Sequence, residues 1–384
     1  MITLSGKYNC ANIFLDDPDV DQGIRDQIQT FLDHPAFKGS YIAIMPDTHV
    51  GTGCVIGFTM KVNDYLIPNL TGVDIGCGIT TYNLGLKRNE INVEDFDKLV
   101  IERIPMGMKK RNKPIDKYMQ PIYLEVANKI GVDEVIVRHS IGTGGGGNHF
   151  LELDVDENDN VWLTVHTGSR NFGLRIANYW QAMAKKMCDT FFCQIPAGLE
   201  FLPINMGGSD YLSDMMVAQH YAISNRLAIY DAILGDSFKP IANVNFISSV
   251  HNYISAEDSI IRKGAISAHE GEKCIIPFNG REGVAICTGK GNKKYNFSAP
   301  HGAGRAHSRS KMTKMLKDGI ISVSKYQEDM ENAGVYTSTA TGDTIDEMWM
   351  AYKDKDLILK HIEPTVKVDF FMKPIWNLKG GGKD

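Results

Sequence analysis

The chain has 384 residues and a formal net charge of −5, with 43% hydrophobic and 23% charged residues. These values are ordinary for a globular protein and exclude a fibrous or disordered chain. The negative charge also excludes a protein that holds nucleic acid mainly through a global basic surface, so any such contact must be a local patch.

No early apolar run follows basic residues, and no stretch approaches the roughly 18 apolar residues that a membrane span needs. We therefore expect a cytoplasmic protein without a membrane partner. The seven cysteines, an odd number scattered from Cys10 to Cys287, do not resemble a disulfide framework. Reduced thiols are expected, and each is available as a metal ligand.

In the first part of the chain, Tyr41–Met45 predicts a strand that breaks at Pro46-Asp47, and Gly51–Lys61 predicts a second one. Asn92 begins a helical pattern with an acidic first turn.

Further along, polar residues repeatedly follow predicted strands. The predicted elements there are a strand Val161–Val165 ending on His166, helices Arg175–Cys188 and Leu212–Leu234, a buried strand Asn243–Val250 ending at His251, and a strand Ala285–Thr288. We find no repeat or linker, which favours one α+β domain over residues 1–384. Short, irregularly spaced strands argue against a doubly wound sheet.

Four glycine-rich or strand-end segments carry ligands of the kind that metals prefer. They are Asp74–Gly78, Gly144–His149, His166–Arg170 and His251-Asn252. Carboxylate, thiolate and imidazole together suit one or two borderline divalent ions. A lone histidine after a strand is more often structural, and Cys77 alone is more often buried filler. Four such segments together favour a metal site.

Three further features suggest phosphate chemistry, each with a plainer alternative. The glycine run before Asn148 could present backbone N–H groups to a phosphate or could be a flexible turn. Gly289–Lys294 could be a second phosphate cradle or a solvated basic hairpin. His301, followed by small residues and Arg305, could be a nucleophile toward phosphorus or a metal ligand.

Taken together, the ordered motifs resemble those of the RtcB family of RNA ligases. They are Met45–His49, Val73–Gly78, Gly147–Glu152, His166–Arg170, His251-Asn252 and His301–Arg305, and the likeness extends from Met45 to Lys379. The resemblance implies a single compact α+β domain with short mixed strands and peripheral helices around a central metal and nucleotide cleft.

The resemblance also implies a set of site residues. Two manganese ions would be bridged by Cys77, one held by His166 and His251 and the other by Asp74 and His149. His301 would carry GMP as a phosphoramidate. Asn148, Glu152, Asn252, Gly302, Ala303, Gly304 and Lys379 would hold the guanosine nucleotide. Asp47, Arg170, Arg305 and Arg309 would bind RNA phosphate or assist the final joining step.

The implied activity joins RNA ends carrying a 3′-phosphate or 2′,3′-cyclic phosphate to 5′-hydroxyl ends, with GTP as co-substrate, in RNA repair or tRNA splicing. Some family members use an archease-like activator. This chain departs from the family between Ala285 and Pro300, where the commoner Pro-Gly-Ser-Met-Gly-Thr-Ala-Ser pattern is replaced by the residues of Cys287–Lys294. Lysines there could replace the contacts of the missing serines.

Two other classes of protein fit part of the pattern. A dinuclear metal-dependent phosphatase or cyclic phosphodiesterase would use the same ligands to activate water. A non-catalytic RNA-end binding protein would explain the altered 287–294 segment. The ligation hypothesis has the advantage that His301 and Lys379 are features that a hydrolase does not need.

Overall fold

A computed structural model describes residues 1–191, 193–235 and 245–381. Its strands are β1 Ile2–Ser5, β2 Cys10–Ile13, β3 Ile42–His49, β4 Ile56–Lys61, β5 Tyr65–Leu66, β6 Gly78–Lys87, β7 Phe150–Val155, β8 Asn160–Thr167, β9 Leu202–Pro203, β10 Phe246–Val250, β11 Asn252–Ile254, β12 Ile260–Lys263, β13 Ala265–Ser267, β14 Lys273–Asn279, β15 Gly283–Gly289, β16 Ser298–Pro300 and β17 Val366–Lys379. Its α-helices are α1 Gln22–Leu32, α2 Val93–Arg103, α3 Pro121–Lys129, α4 Glu134–Ser140, α5 Arg170–Thr190, α6 Ser209–Leu234, α7 Arg309–Lys317, α8 Val323–Asn332 and α9 Lys355–Ile362.

Two sheets organise the described residues. One has the order β1-β2-β3-β4-β12-β11, and the other has the order β10-β6-β8-β7-β17-β15-β14. The pairs β13-β16 and β5-β9 form small additional ladders. The predicted α+β class with mixed strands in one compact domain is confirmed, and the strand order is not that of a doubly wound sheet.

Helix α6 lies between the two main parts of the core. Tyr211, Met215 and Tyr221 pack into the apolar cluster that the first sheet shares with α1, α3 and α5. Ile229 and Ile233, two turns further on, pack into the cluster between α2 and the second sheet. A helix that buries apolar residues on several faces is central to its protein, which places α6 behind both sheets.

Several predicted elements have different boundaries in the structure. Strand β3 does not break at Pro46-Asp47 but continues to His49, with an irregular register against β4 between Ile44 and His49. Helix α5 begins at Arg170 rather than Arg175, whereas α2 starts as predicted, with the Asn92 side chain accepting from Asp95 N.

The predicted buried strand Asn243–Val250 is only partly confirmed. Asn243 and Val244 lie outside the described residues, and β10 begins at Phe246. The strand is at the edge of its sheet, and Phe246 is 57% exposed. In the described ranges, none of the helices is long and apolar enough to cross a membrane.

Asn225 of α6 connects the two loops that lead into the candidate site. Its Oδ1 accepts from Gly142 N at 2.8 Å and from Thr143 N at 3.1 Å. Its Nδ2 donates to Thr143 O at 3.1 Å and lies 3.3 Å from both Thr167 Oγ1 and Gly168 O. Since the residue is fully buried, no water can replace these bonds.

We predict that Asn225→Ala lowers the free energy of unfolding by about 2–4 kcal/mol, because it leaves several buried backbone groups without partners. Urea denaturation followed by circular dichroism measures the change. The control is Ser213→Ala on the same helix, whose exposed hydroxyl bonds only to Ser209 O. It should change stability by less than about 0.5 kcal/mol. Equal stabilities for both variants would contradict the assigned role of Asn225.

Candidate metal centre and adjoining cleft

The predicted metal-type ligands lie together at one end of the strands of the second sheet. Strands β6 and β7 begin at this end, and β8 and β10 finish there. The register shows this, because it pairs Gly78 with Val250 and Thr167, and His166 with Phe150. Residues just before β6 and β7 and at the ends of β8 and β10 therefore meet. These residues are Asp74, Cys77, His149, His166 and His251.

The donor atoms of these side chains converge within hydrogen-bonding distances. Cys77 Sγ lies 3.4 Å from His149 Nε2 and 3.3 Å from His166 Nε2. His166 Nε2 lies 3.4 Å from His251 Nε2, and His149 Nε2 lies 2.8 Å from Asp74 Oδ2. Cys77, His149 and His166 form a group whose ligand atoms all lie within 4.8 Å of one another.

The ionisation of the cluster suits a divalent cation. Burial, reinforced by neighbouring imidazoles, holds the pKa of His166 and of His251 well below the ordinary value, so both rings are neutral at neutral pH. Burial, with the Asp74 carboxylate second, raises the pKa of Cys77 to about 11. Burial also opposes ionisation of Asp74, but His149 and Arg170 outweigh it and lower that pKa.

The surrounding groups orient at least one imidazole for metal binding. His166 Nδ1 lies 3.1 Å from the carbonyl oxygen of Asn148, which can only accept, so Nδ1 carries the proton and Nε2 keeps its lone pair. Neutral imidazoles, a thiol and a carboxylate aimed at one point are a donor set for a borderline divalent ion. The residues present therefore fit one.

Helix α6 stabilises the segments that carry the metal-type ligands, through a buried arginine. Arg226 is buried, and its Nη1 donates to Gly76 O at 3.0 Å and to Thr167 O at 2.8 Å. Each carbonyl belongs to a loop that carries ligands. The guanidinium thus fixes the spacing between the segment that holds Cys77 and the segment that holds His166.

The glycines at 144 and 145 permit close packing. A Cβ at Gly145 would lie 2.1 Å from Arg170 Nη1, and one at Gly144 would lie 2.2 Å from Met106 Sδ. Gly144 N donates to Pro105 O, and Gly145 O accepts from Gly107 N. Gly147 lines a second cavity together with Arg309, and a contact between N–H groups of the run and a phosphate stays a prediction.

A cleft of about 760 Å³ opens beside the cluster. This volume is within the range of small-molecule sites, roughly 300–1,000 Å³. Predicted site residues that line the cleft are Asn148, Glu152, His166, His301, Gly302, Ala303, Gly304, Arg305, Arg309 and Lys379. The structure thus brings the predicted nucleophile and most of the predicted nucleotide contacts to one cavity.

His301 lies between the metal-type cluster and the cleft. Its ring centroid is 4.7 Å from that of His251. Two neighbouring contacts bring the two histidines together. In the β13-β16 pair, Pro300, which precedes His301, is opposite Ala265. Gly264, which precedes Ala265, donates its N–H to His251 O at 2.7 Å. On the other side, His301 Nδ1 lies 2.6 Å from Asp47 Oδ2, and its backbone N donates to the same oxygen at 3.2 Å.

Glu152 lines the inner wall of the cleft, and a second buried carboxyl group, that of Asp154, lies next to it. Burial and the neighbouring Asp154 carboxyl raise the pKa of Glu152 well above its usual range, and burial raises that of Asp154 to about 6. Asn377 Nδ2 donates to Glu152 Oε2 at 2.6 Å, and Thr164 donates to Asp154. A ligand that offers N–H donors to Glu152 would favour its ionised form.

Lys379 is held by a carboxylate that sequence reasoning missed. Its Nζ lies 3.0 Å from Glu347 Oε2, and Glu347 Oε1 lies 3.2 Å from Arg305 Nη1 and 2.6 Å from Arg309 Nη1. Tyr352 donates its hydroxyl to the same carboxylate. Burial opposes ionisation of Glu347, but the three cations prevail and lower its pKa to about 2.

Nothing in the sequence near Glu347 signalled a role, since its contacts with Lys379, Arg309 and Arg305 join residues 32 to 42 positions apart. His49, by contrast, stood at the end of a motif without a role assigned to it. It lines the cleft, its Nδ1 lies 3.0 Å from Asp47 O, and burial lowers its pKa to about 4.

Two predicted site residues are placed behind the cleft rather than in its wall. Asn252 Nδ2 donates to Asp74 O at 3.1 Å, and its Oδ1 accepts from Gly264 N at 3.0 Å. Arg170 is buried, with Nε 3.2 Å from Thr143 Oγ1 and Nη1 3.2 Å from His149 Nδ1. Both side chains support metal-type ligands, and their direct contact with nucleotide or RNA stays a prediction.

The 289–294 segment lies away from the cleft. Its backbone N–H groups are used within the fold, since Gly289 donates to Glu272 O, Lys290 to Thr365 O and Gly291 to Ala268 O. Lys290 Nζ also forms an ion pair with Glu363 at 2.6 Å. These bonds and that of Lys294 N to Asn292 Oδ1 argue against a second phosphate cradle, because a phosphate would need the same amides. A contact of Lys293 or Lys294 with RNA phosphate stays a prediction.

Comparison with known proteins agrees with the residue-level resemblance. A family model described as "tRNA-splicing ligase RtcB" matches residues 27–130 and 132–380. The "RNA-splicing ligase RtcB" of Escherichia coli (strain K12) is 30% identical over 383 residues, covering 90% of this chain and 91% of the relative.

Archaeal relatives are more distant but are matched over similar lengths. The "tRNA-splicing ligase RtcB" of Archaeoglobus fulgidus is 24% identical, covering 93% of this chain and 91% of its own. That of Aeropyrum pernix is 26% identical, covering 88% of each chain. Since the matches extend over nearly the whole length, the chain belongs to the RtcB family.

Proposed function

We propose that the protein is a GTP- and manganese-dependent RNA ligase that joins 3′-phosphate or 2′,3′-cyclic phosphate ends to 5′-hydroxyl ends, in RNA repair or tRNA splicing. The observation that carries the proposal is the position of His301. Its ring lines the cleft, lies 4.7 Å from the ring of His251 and is bonded to the buried Asp47. Membership of a family whose relatives bear the name RNA-splicing ligase supports it.

His301 is the proposed nucleophile. A carboxylate can only accept, so Asp47 holds the proton of the imidazole on Nδ1 and leaves the Nε2 lone pair free. Attack of Nε2 on the α-phosphorus of GTP forms a nitrogen–phosphorus bond, and the bond to the β-phosphate oxygen breaks to release pyrophosphate. The product is a histidine–GMP phosphoramidate.

Asp74, Cys77, His149, His166 and His251 would hold the manganese, with Cys77 as the bridge between two ions. The metal would supply positive charge that neutralises phosphate oxygens during phosphoryl transfer. The protein's own contribution is a buried donor cluster in which two imidazoles are neutral and ready to coordinate.

Guanosine recognition is assigned to the inner wall of the cleft. Glu152 lines this wall, with Oε2 accepting from Asn377, and we assign its carboxylate to accept N–H groups of guanine. Lys379 stays beside it through its bond to Glu347. Gly302, Ala303 and Gly304 line the cleft next to His301 and let the backbone approach a phosphate closely.

Later steps place GMP on the RNA and then remove it. Water opens a cyclic phosphate, and the resulting 3′-phosphate oxygen attacks the phosphorus of the histidine–GMP bond, which returns the nitrogen lone pair to His301. The 5′-hydroxyl then attacks the RNA phosphorus and GMP leaves. Arg305 and Arg309, which line the cleft, are positioned to offset phosphate charge in these steps.

A dinuclear phosphatase or cyclic phosphodiesterase would share the metal-type cluster but would not need a nucleophilic histidine held by a buried carboxylate. Ligation of a 3′-phosphate RNA to a 5′-hydroxyl RNA with GTP and manganese tests the proposal directly. Release of inorganic phosphate without a joined product would favour the hydrolase instead.

We predict that Cys77→Ser weakens manganese binding by on the order of 100-fold or more, because a hydroxyl is a poor replacement for a thiolate. Elemental analysis after gel filtration gives the stoichiometry. Cys188→Ser, at another buried cysteine, is the control and should retain the parent metal content. Equal manganese contents in the Cys77→Ser variant and the parent would refute the bridging role.

The affinity of the parent protein for manganese should rise between about pH 6.5 and 8.5, because the metal must displace the proton of a buried thiol. Burial raises the pKa of Cys77 to about 11, so the thiol is protonated throughout this range in the metal-free protein. Isothermal titration calorimetry in buffers of different ionisation enthalpy measures the released proton. A pH-independent affinity would show that no thiol proton is displaced.

We predict that His301→Ala binds manganese nearly normally but forms no GMP adduct. Intact-mass measurement after incubation with GTP and manganese detects the adduct, which should be acid-labile and alkali-resistant. His307→Ala is the matched control, since the His307 ring is half-buried, lies outside the lining of the cleft and has its Nδ1 2.7 Å from Ala306 O, and this variant should still be guanylylated. Guanylylation of His301→Ala would exclude His301 as the nucleophile.

A further inference from the structure

Lys353 is partly buried and places its ammonium group directly behind Asp47. Its Nζ donates to Pro46 O at 3.1 Å and to Thr48 O at 2.7 Å, the two carbonyls on either side of Asp47. Its backbone N donates to Gly304 O at 3.0 Å. In the ranges that the structure describes, its Nζ forms no ion pair with a carboxylate. Lys353 therefore connects the end of β3, through its side chain, to the loop after His301, through its backbone N.

Asp47 needs a compensating positive charge. Its side chain is fully buried, and Oδ2 accepts both bonds from His301. Among the described residues, Oδ1 has no hydrogen-bond partner. A buried carboxylate with one unbonded oxygen is costly unless a cation is near. Burial lowers the pKa of Lys353, and attraction to Asp47 is the first interaction that opposes this shift.

The backbone packing around this pair leaves little freedom. Gly304 has φ +71°, and a Cβ there would lie 2.1 Å from Asp47 O and 2.9 Å from its Cα. The loop after His301 therefore packs against the backbone of Asp47. Lys353 bonds to this loop through its backbone N and to the end of β3 through its Nζ. Removing the ammonium group would release two buried carbonyls that define where Asp47 stands.

We propose that Lys353 is a positioning residue, which holds Asp47 in place so that the proton of His301 stays on Nδ1 and Nε2 faces the cleft as the nucleophile. The chemical role of Nε2 rests on the proposed function. The proton position itself is a property of the unliganded protein and can be measured independently.

The test compares Lys353→Met and Lys353→Arg with a matched control, Lys263→Met. Lys263 is a more deeply buried lysine whose Nζ likewise donates to two backbone carbonyls, those of Thr52 and Asn69, and burial lowers its pKa as well. Among the described residues, it forms no hydrogen bond or ion pair with Asp47 or His301. Both methionine variants remove a cation and leave two carbonyls without this donor, so both should lower the melting temperature.

The first readout is the His301 tautomer, from long-range ¹H–¹⁵N spectra of the full-length protein labelled at histidine, without added metal. His301→Ala identifies the signals. The parent, Lys263→Met and Lys353→Arg should show the proton on Nδ1, whereas Lys353→Met should show a mixture or the Nε2 form.

The second readout is the single-turnover rate of guanylylation against GTP concentration. Lys353→Met should lose on the order of 10- to 100-fold at saturating GTP with little change in the half-saturating concentration, because the nucleophile is misplaced while the nucleotide contacts remain. Lys353→Arg should recover to within about tenfold of the parent, and Lys263→Met should stay within about threefold.

Three results would overturn the proposal. They are an unchanged tautomer in Lys353→Met, an unchanged rate in that variant, or an equal loss of the Nδ1 tautomer in Lys263→Met, which would indicate general destabilisation. If the parent forms no GMP adduct at all, the proposed ligase chemistry fails. The tautomer comparison still decides whether Lys353 positions His301.

Discussion

A thiol, a carboxylate and three imidazoles lie close together at one buried end of the second sheet, and the surrounding loops must keep them there. Cys77 Sγ lies within 3.4 Å of two histidine nitrogens, and burial keeps His166 and His251 neutral. Such a cluster is costly to desolvate, so the fold must hold it from outside. Asn225 and Arg226 of α6 do this through the loop backbones.

A second buried charge system organises the outer part of the cleft. Glu347 accepts from Arg305, Arg309, Lys379 and Tyr352, and Arg309 also pairs with Asp346, so two carboxylates set the positions of three cations that line the cavity. Because three cations meet two carboxylates, this part of the wall keeps a local excess of positive charge. A protein with net charge −5 can thereby attract phosphate at one place.

Between these two systems, His301 is held by contacts with neighbouring segments. Asp47 accepts from its ring, Lys353 holds the carbonyls around Asp47, and Gly304 allows the two loops to touch. In phosphoryl transfer a protein contributes mainly the positions and charges of its groups and little covalent chemistry. A site of this kind therefore needs side chains that are held in place by their neighbours.

Local motifs and spacing were enough to identify the family and to single out Cys77, the metal-type histidines and His301 as a candidate site. They misplaced the end of β3 and suggested a phosphate cradle at residues 289–294, where the first three amides are bonded elsewhere. The positions of Asn252 and Arg170 behind the metal-type ligands, and the contacts of Glu347 and Lys353 around the cleft, became visible in the folded chain. Those roles arise from contacts between distant segments, and local sequence carries no record of a contact that forms only when the sheet edges meet.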